Sequence, residues 1–215
     1  MNMYIREPIN GFTHLAGAIF SFIGLLAMTI KAAAGHSTVL QLSAVIIFGI
    51  SLILLYAASA TYHLVVAKDT VIAWLRKLDH SMIFILIAGS YAPFCLISLH
   101  GLIGWFLFGL ITLIAVSGVL FKLLWFSCPR WLSTVLYIAM GWIIILAAKP
   151  LSQALSKEGL YLLIGGGIIY TIGGIIYALK PAFLEFKHLG FHEIFHIFIL
   201  LGSLAHFISV YEYVI

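Results

Sequence analysis

Residues 102–125 read LIGWFLFGLITLIAVSGVLFKLLW, twenty-four positions with Lys122 as the sole charge. Some 20 apolar residues suffice to cross a bilayer as a helix. So long a run, with one cation near its end, is read as a transmembrane helix and not as a core helix of a soluble domain. Working outward, six comparable runs occupy residues 12–33, 39–62, 79–99, 131–148, 160–179 and 191–214. Between them lie Gly35-His36-Ser37, Lys68-Asp69, Arg76-Lys77, Gly101, Cys128-Pro129-Arg130, Lys149-Pro150 and Lys180-Pro181, the breakers and charges expected of connectors.

The composition agrees. Of 215 residues, 64% are hydrophobic and 8% charged, with a mean hydropathy of +1.19. A soluble domain carries about 25% charged residues. Soluble, disordered and nucleic-acid-binding classes are therefore set aside, and no nucleic-acid partner is expected. The net charge of +4 comes from cations scattered singly between apolar runs, as membrane anchors are. The first run is too long for the apolar region of a signal peptide and is read as a retained span. No linker or second domain interrupts the pattern, so the expectation is an all-α integral membrane protein. It has one domain over residues 1–215, a bundle of seven transmembrane helices. A homo-oligomer is left open.

Lys and Arg set the orientation. With the N-terminus in the cytoplasm, Arg6, Lys68, Arg76, Lys77, Lys122, Arg130, Lys180 and Lys187 fall inside, and Lys31, Lys149 and Lys157 outside. Eight against three predicts a cytoplasmic N-terminus and an external C-terminus.

Nine histidines are out of place in so apolar a chain, because ionisable groups at membrane depth are costly and concentrate at functional positions. His192 and His196 stand four apart on one helical face, the spacing at which two imidazoles share an ion. The string from His192 to His196 also matches the His-Glu-x-x-His pattern of zinc proteases, with Glu193 as base. That pattern belongs in a water-filled cleft of a soluble fold, and Asp79 is the better placed acid here. Ser59 and His63 share a face at the end of the second run. Asp79 opens the third run, where by itself it reads as a helix N-cap. Topology puts His63, Asp79 and the His192/His196 pair at one level near the inner leaflet. Three imidazoles with an open fourth position describe a catalytic zinc site. Asp79 would orient or deprotonate water, and Ser59 would hydrogen-bond beside it.

The remaining features carry less. His206 lies about 15 Å beyond His196 along the helix and is read as a polar contact inside the bundle. His14 is either a neighbour of the site or a hydrogen-bonding residue at a helix start. His80 points away from Asp79, and His36, His100 and His188 fall in connectors, exposed to solvent. Pro93 should kink the third helix, as packing or to open a crevice for a lipid tail. Gly165-Gly166-Gly167 and Gly173-Gly174 are read as close helix packing. Cys95 and Cys128 suggest neither a disulfide nor a thiolate site.

Taken together, several short motifs resemble the hemolysin III group of the progestin and adipoQ receptor family, bacterial branch. They are Asn10-Gly11-Phe12-Thr13-His14, Ser59 with Tyr62-His63, Leu78-Asp79-His80, and Gly89-Ser90-Tyr91 with Pro93-Phe94. Tyr137 with Met140-Gly141-Trp142, the His192/His196 pair, and Gly202-Ser203 with His206-Phe207 complete the set, in order along nearly the whole chain. The resemblance implies seven helices with a cytoplasmic N-terminus and zinc held by His63, His192 and His196. It also implies an aspartate, Asp79, on the metal's water, with Ser59 one turn before the first histidine. Adiponectin receptors share this set and are linked to ceramidase activity; alkaline ceramidases carry a similar one. The bacterial branch has been called hemolytic and linked to membrane-lipid homeostasis.

The expected function is a zinc-dependent hydrolase of lipid amides or esters, acting on membrane lipids in a bacterial cytoplasmic membrane. The alternative is a lipid or fluidity sensor with structural zinc. A pore-forming hemolysin ranks lower, because the polar residues gather at one end instead of lining a path. A bis-histidine haem protein fits poorly, since its histidines belong on facing helices.

Overall fold

The computed structural model describes residues 5–99, 101–186 and 189–215; Lys187, His100 and His188 lie outside them. Among the described residues, seven helical segments are long and apolar enough to cross a membrane, as the hydropathy predicts. The helices are α1 (Pro8–Ala34), α2 (Val39–Leu64), α3 (Asp69–Pro93) and α4 (Gly101–Leu124), then α5 (Arg130–Trp142), α6 (Ala148–Ala154), α7 (Lys157–Leu179) and α8 (Phe191–Tyr213). The chain is a multi-pass integral membrane protein. Helix α1 packs on α2 and α8, α2 on α3, α3 on α4 and α5, and α7 on α5 and α8, which closes a ring. Helix α3 is the most enclosed, with 61% of its most apolar stretch buried against 17% for α7.

Two spans depart from the hydropathy reading. The third helix begins at Asp69, ten residues before position 79. Arg76 and Lys77 lowered the hydropathy there, yet both lie within the helix, and the acid at its first turn suits the positive end of the dipole. Asp79 is thus no N-cap. It sits nearly three turns inside α3 and is buried. The fifth span does not stop near Lys149-Pro150. After α5 a short 3₁₀ segment, Ile143–Ala147, leads into α6. Pro150 falls in the first turn of α6, where a missing N–H breaks no intrahelical bond.

Tyr91 on α3 holds this break open. Its hydroxyl faces the carbonyls of Met140 at 2.9 Å and Gly141 at 2.8 Å and accepts the Ile144 N–H at 2.9 Å. Just beyond it, Pro93 gives way to a π turn, Phe94–Ser98, so the expected irregularity takes the form of a wider turn.

On α7, Gly166, Gly173 and Gly174 pack closely against neighbouring helices, whereas Gly165 faces open space. A methyl group at Gly166 would overlap the His206 ring on α8. Ser203 then links three helices: its Oγ lies 2.6 Å from the Tyr56 hydroxyl on α2 and 2.7 Å from that of Tyr170 on α7.

Candidate metal centre

His63 lies in the last turn of α2, and His192 and His196 in the first two turns of α8. The bundle brings these two helix ends together. Ring centroids are 5.1 Å apart for His63 and His192, 5.0 Å for His63 and His196, and 4.7 Å for His192 and His196. One nitrogen from each ring lies within 4.8 Å of the others, so the three could hold one metal ion. Ligand nitrogens around one tetrahedral zinc are about 3.3 Å apart, so small ring rotations would suffice.

The polar accounting fits a cation. His63 Nε2, His192 Nε2 and His196 Nδ1 are all buried without a hydrogen-bond partner. Buried polar atoms are otherwise almost always paired. His63 Nδ1 meets Glu7 Oε2 at 2.5 Å. A neutral His63 that donates Nδ1–H to this carboxylate presents a bare lone pair at Nε2, as metal-binding histidines commonly do. The hydrogen bond to His63 draws the Glu7 carboxyl down to about 2, against the partial burial that works to raise it.

Glu7 was not found from the sequence. It stands one residue before Pro8, the first residue of α1, and its backbone N–H also bonds the His63 carbonyl at 2.9 Å. The N-terminal segment is thereby clamped to the end of α2. Arg6 adds an ion pair to Glu7 at 3.2 Å and lies over the Tyr62 ring. The only available signal was an acid beside a helix-starting proline, at the membrane level assigned to His63.

Glu193 is occupied elsewhere. Its Oε2 accepts the Gly190 N–H at 2.8 Å, which caps α8, and its Oε1 accepts Asn10 Nδ2 at 2.8 Å. This is the work of a structural acid and gives the protease-like reading no support.

Ser59 and Asp79 face the same region. Asp79 lies beside Ser59 and within electrostatic reach of His63. The Ser59 hydroxyl, one turn before His63, is buried and faces the Asp79 carboxyl. His14 is a neighbour of the site and makes no helix-start hydrogen bond. Its ring stacks on His196 at 3.6 Å with 10° between planes, and neither nitrogen has a partner. His206 instead donates Nε2–H to the Leu163 carbonyl at 3.1 Å, the polar contact expected inside the bundle. His80 is not part of the triad and packs its ring at a T-shaped angle to Phe126, and His36 is exposed. Cys95 and Cys128 are free and buried, apart from the triad.

A cavity of about 260 Å³ joins these groups to the apolar interior. Ser59, Asp79, His14, His192 and His196 line one end. Leu86, Phe94, Ile144, Leu160 and Leu163 line the rest. Its α7 wall runs from Tyr177 to Leu160, about 26 Å at 1.5 Å per residue.

Comparison with known proteins gives a family. Residues 2–207 match the family model described as haemolysin-III related. Hemolysin-3 of Bacillus cereus is 39% identical over 218 residues, covering 100% of this chain and 95% of the relative. The Hemolysin-3 homolog of Bacillus subtilis (strain 168) is 39% identical over 210 residues, covering 97% and 95%. The monocyte to macrophage differentiation factor of Homo sapiens is 25% identical over 171 residues, covering 78% and 68%. With a match over nearly its whole length, this chain belongs to the haemolysin-III related family.

Proposed function

We propose that the protein is a zinc-dependent hydrolase of lipid amides or esters, with the metal on His63, His192 and His196. One observation carries this reading: three buried histidines with unpartnered ring nitrogens cluster beside the polar end of an otherwise apolar cavity, where His192, His196, Asp79 and Ser59 line the wall. Zinc with an open position polarises an acyl carbonyl and acidifies water.

The chain's own residues supply the rest. The cavity admits an acyl chain from the bilayer, and its length approaches the hydrocarbon thickness of about 30 Å. Its apolar walls keep bulk water from the tail, so the scissile group is drawn to the polar end. Asp79 takes a proton from the attacking water and delivers it to the leaving amine or alkoxide. The Ser59 O–H donates to the carbonyl oxygen as negative charge gathers there. Glu7 and Asn10 hold the histidine helices in place.

The same reading sets the N-terminus in the cytoplasm and the C-terminus outside, within a bacterial cytoplasmic membrane. Arg6, Lys122, Arg130 and Lys180, at helix ends, and Arg76 and Lys77, in the first turns of α3, support it, because all fall toward the triad's end of the bundle. The test is metal analysis of purified protein together with hydrolysis assays over lipid amides and esters. Stoichiometric zinc with metal-dependent turnover is expected. Zinc without turnover on any lipid would transfer the reading to a sensor with structural zinc.

A further inference from the structure

Lys122 is the one cation inside residues 102–125, and its side chain is only 3% exposed. Its ammonium donates to Ser133 Oγ at 2.5 Å and to Cys128 Sγ at 3.5 Å, and the Phe126 ring lies 5.4 Å away. No carboxylate among the described residues reaches it. Among the described residues, Glu7 makes the ion pairs found, and its partners are Arg6 and His63. A buried ammonium without a counter-charge is costly to hold, and proteins normally supply a partner.

The surroundings add cations in place of a partner. Lys122 lines a second cavity, of about 650 Å³, between α3, α4 and the start of α5. Arg76, Lys77 and Arg130 share its wall, with Ser133 as a neutral donor, and among the described residues no carboxylate lines it. Arg130 opens α5, whose N-terminus has no side-chain cap, so its positive end also faces this region. Arg130 and Arg76 are held over Tyr177 and Phe126, and Arg130 Nη1 also donates to the Tyr177 carbonyl at 3.4 Å, which directs the guanidinium groups and leaves their other N–H donors for a ligand. Arginine, lysine and hydroxyl donors around a pocket are the usual set for a tetrahedral oxyanion.

We propose that this pocket binds a phosphoryl group, presented by an anionic phospholipid headgroup or as inorganic phosphate. The group supplies the missing counter-charge of Lys122 and accepts from Arg76 and Arg130. A lipid source has a geometric advantage. His80 and Tyr177 line both cavities, so the phosphoryl pocket adjoins the acyl cavity at the triad's end of the bundle. The proposal stands independently of the metal.

The test uses the full chain purified in detergent. Native mass spectrometry after exposure to phosphatidylglycerol or phosphatidylcholine reads lipid retention. Thermal unfolding with and without inorganic phosphate reads the free anion. Wild type should retain phosphatidylglycerol in preference to phosphatidylcholine, or be stabilised by phosphate. The first outcome names the lipid as source and the second the free anion. Lys122→Met keeps the stem and removes the charge, and should weaken binding about tenfold or more, as losing a hydrogen bond between charged groups does. Arg76→Gln, at an exposed side chain, should weaken it without disturbing the fold and decides the matter if Lys122→Met does not fold. Lys149→Gln, on an exposed side chain of α6, should bind as wild type. Binding unchanged in both pocket variants, or neither lipid preference nor phosphate stabilisation in wild type, would overturn the proposal.

Discussion

The Glu7 carboxylate and the His63 imidazole meet at 2.5 Å, although 56 residues separate them in the chain. This contact ties the start of α1 to the end of α2 and leaves His63 Nε2 unpartnered toward His192 and His196. Partners of this kind orient a ligand ring, and their loss typically weakens metal binding about 10–100-fold. Glu7→Gln keeps an acceptor and should fall near the lower figure, with Glu7→Ala nearer the upper. Competition against a zinc chelator measures both. Unchanged affinity in Glu7→Ala would detach Glu7 from the site.

Purified protein should carry about one zinc per chain, and alanine at His63, His192 or His196 should remove most of it, because two remaining ligands make an incomplete shell. Elemental analysis reads this directly. Stoichiometric zinc in the double variant His192→Ala/His196→Ala would end the assignment.

Asp79 separates an enzyme from a sensor. Asp79→Asn keeps the size and removes the base, which should lower hydrolysis about 10²–10⁴-fold. Zinc content should fall far less than in the histidine variants. Wild-type turnover in Asp79→Asn would remove the residue from the chemistry.

Ser203→Ala should destabilise the bundle by about 1–3 kcal/mol, the cost of leaving the buried Tyr170 hydroxyl unpaired, while Tyr56 keeps only the Ile199 carbonyl at 3.2 Å. Tyr56 and Tyr170 both lose their shared partner. Thermal unfolding in detergent checks this, and zinc content should remain unchanged. A variant as stable as wild type would show that the tyrosines find other partners.

Reporter fusions should place residues 65–68 and 180–186 in the cytoplasm and Ile215 outside. The described triad needs the end of α2 and the start of α8 at one face, which an odd number of spans provides. A cytoplasmic Ile215 would contradict the charge reading, and together with cytoplasmic residues 65–68 it would contradict the seven-span bundle as well.

Most of the fold was legible because apolar length is a local property. Each span announced itself over some 20 residues, whatever its neighbours. The misread boundaries lie where local signals mislead. Arg76 and Lys77 resemble a loop but ride on a helix that extends past the apolar run. Pro150 resembles a stop but occupies a first turn, where proline is harmless. The His192/His196 pair was legible for the same local reason, since four residues bring side chains to one helical face.

What the sequence by itself determined is thus the number of spans, the paired imidazoles, and the shared level of His63 and Asp79. These follow from helical periodicity and the alternation of direction from span to span. Tertiary structure decided the rest: the Glu7 contact, the stacking of His14 on His196, the use of Glu193 as a cap, and the burial of Lys122 against Ser133 and Cys128. Each depends on which helices lie side by side and how they are rotated about their axes. Interdigitating side chains settle that across the whole bundle, and no window of the chain encodes it.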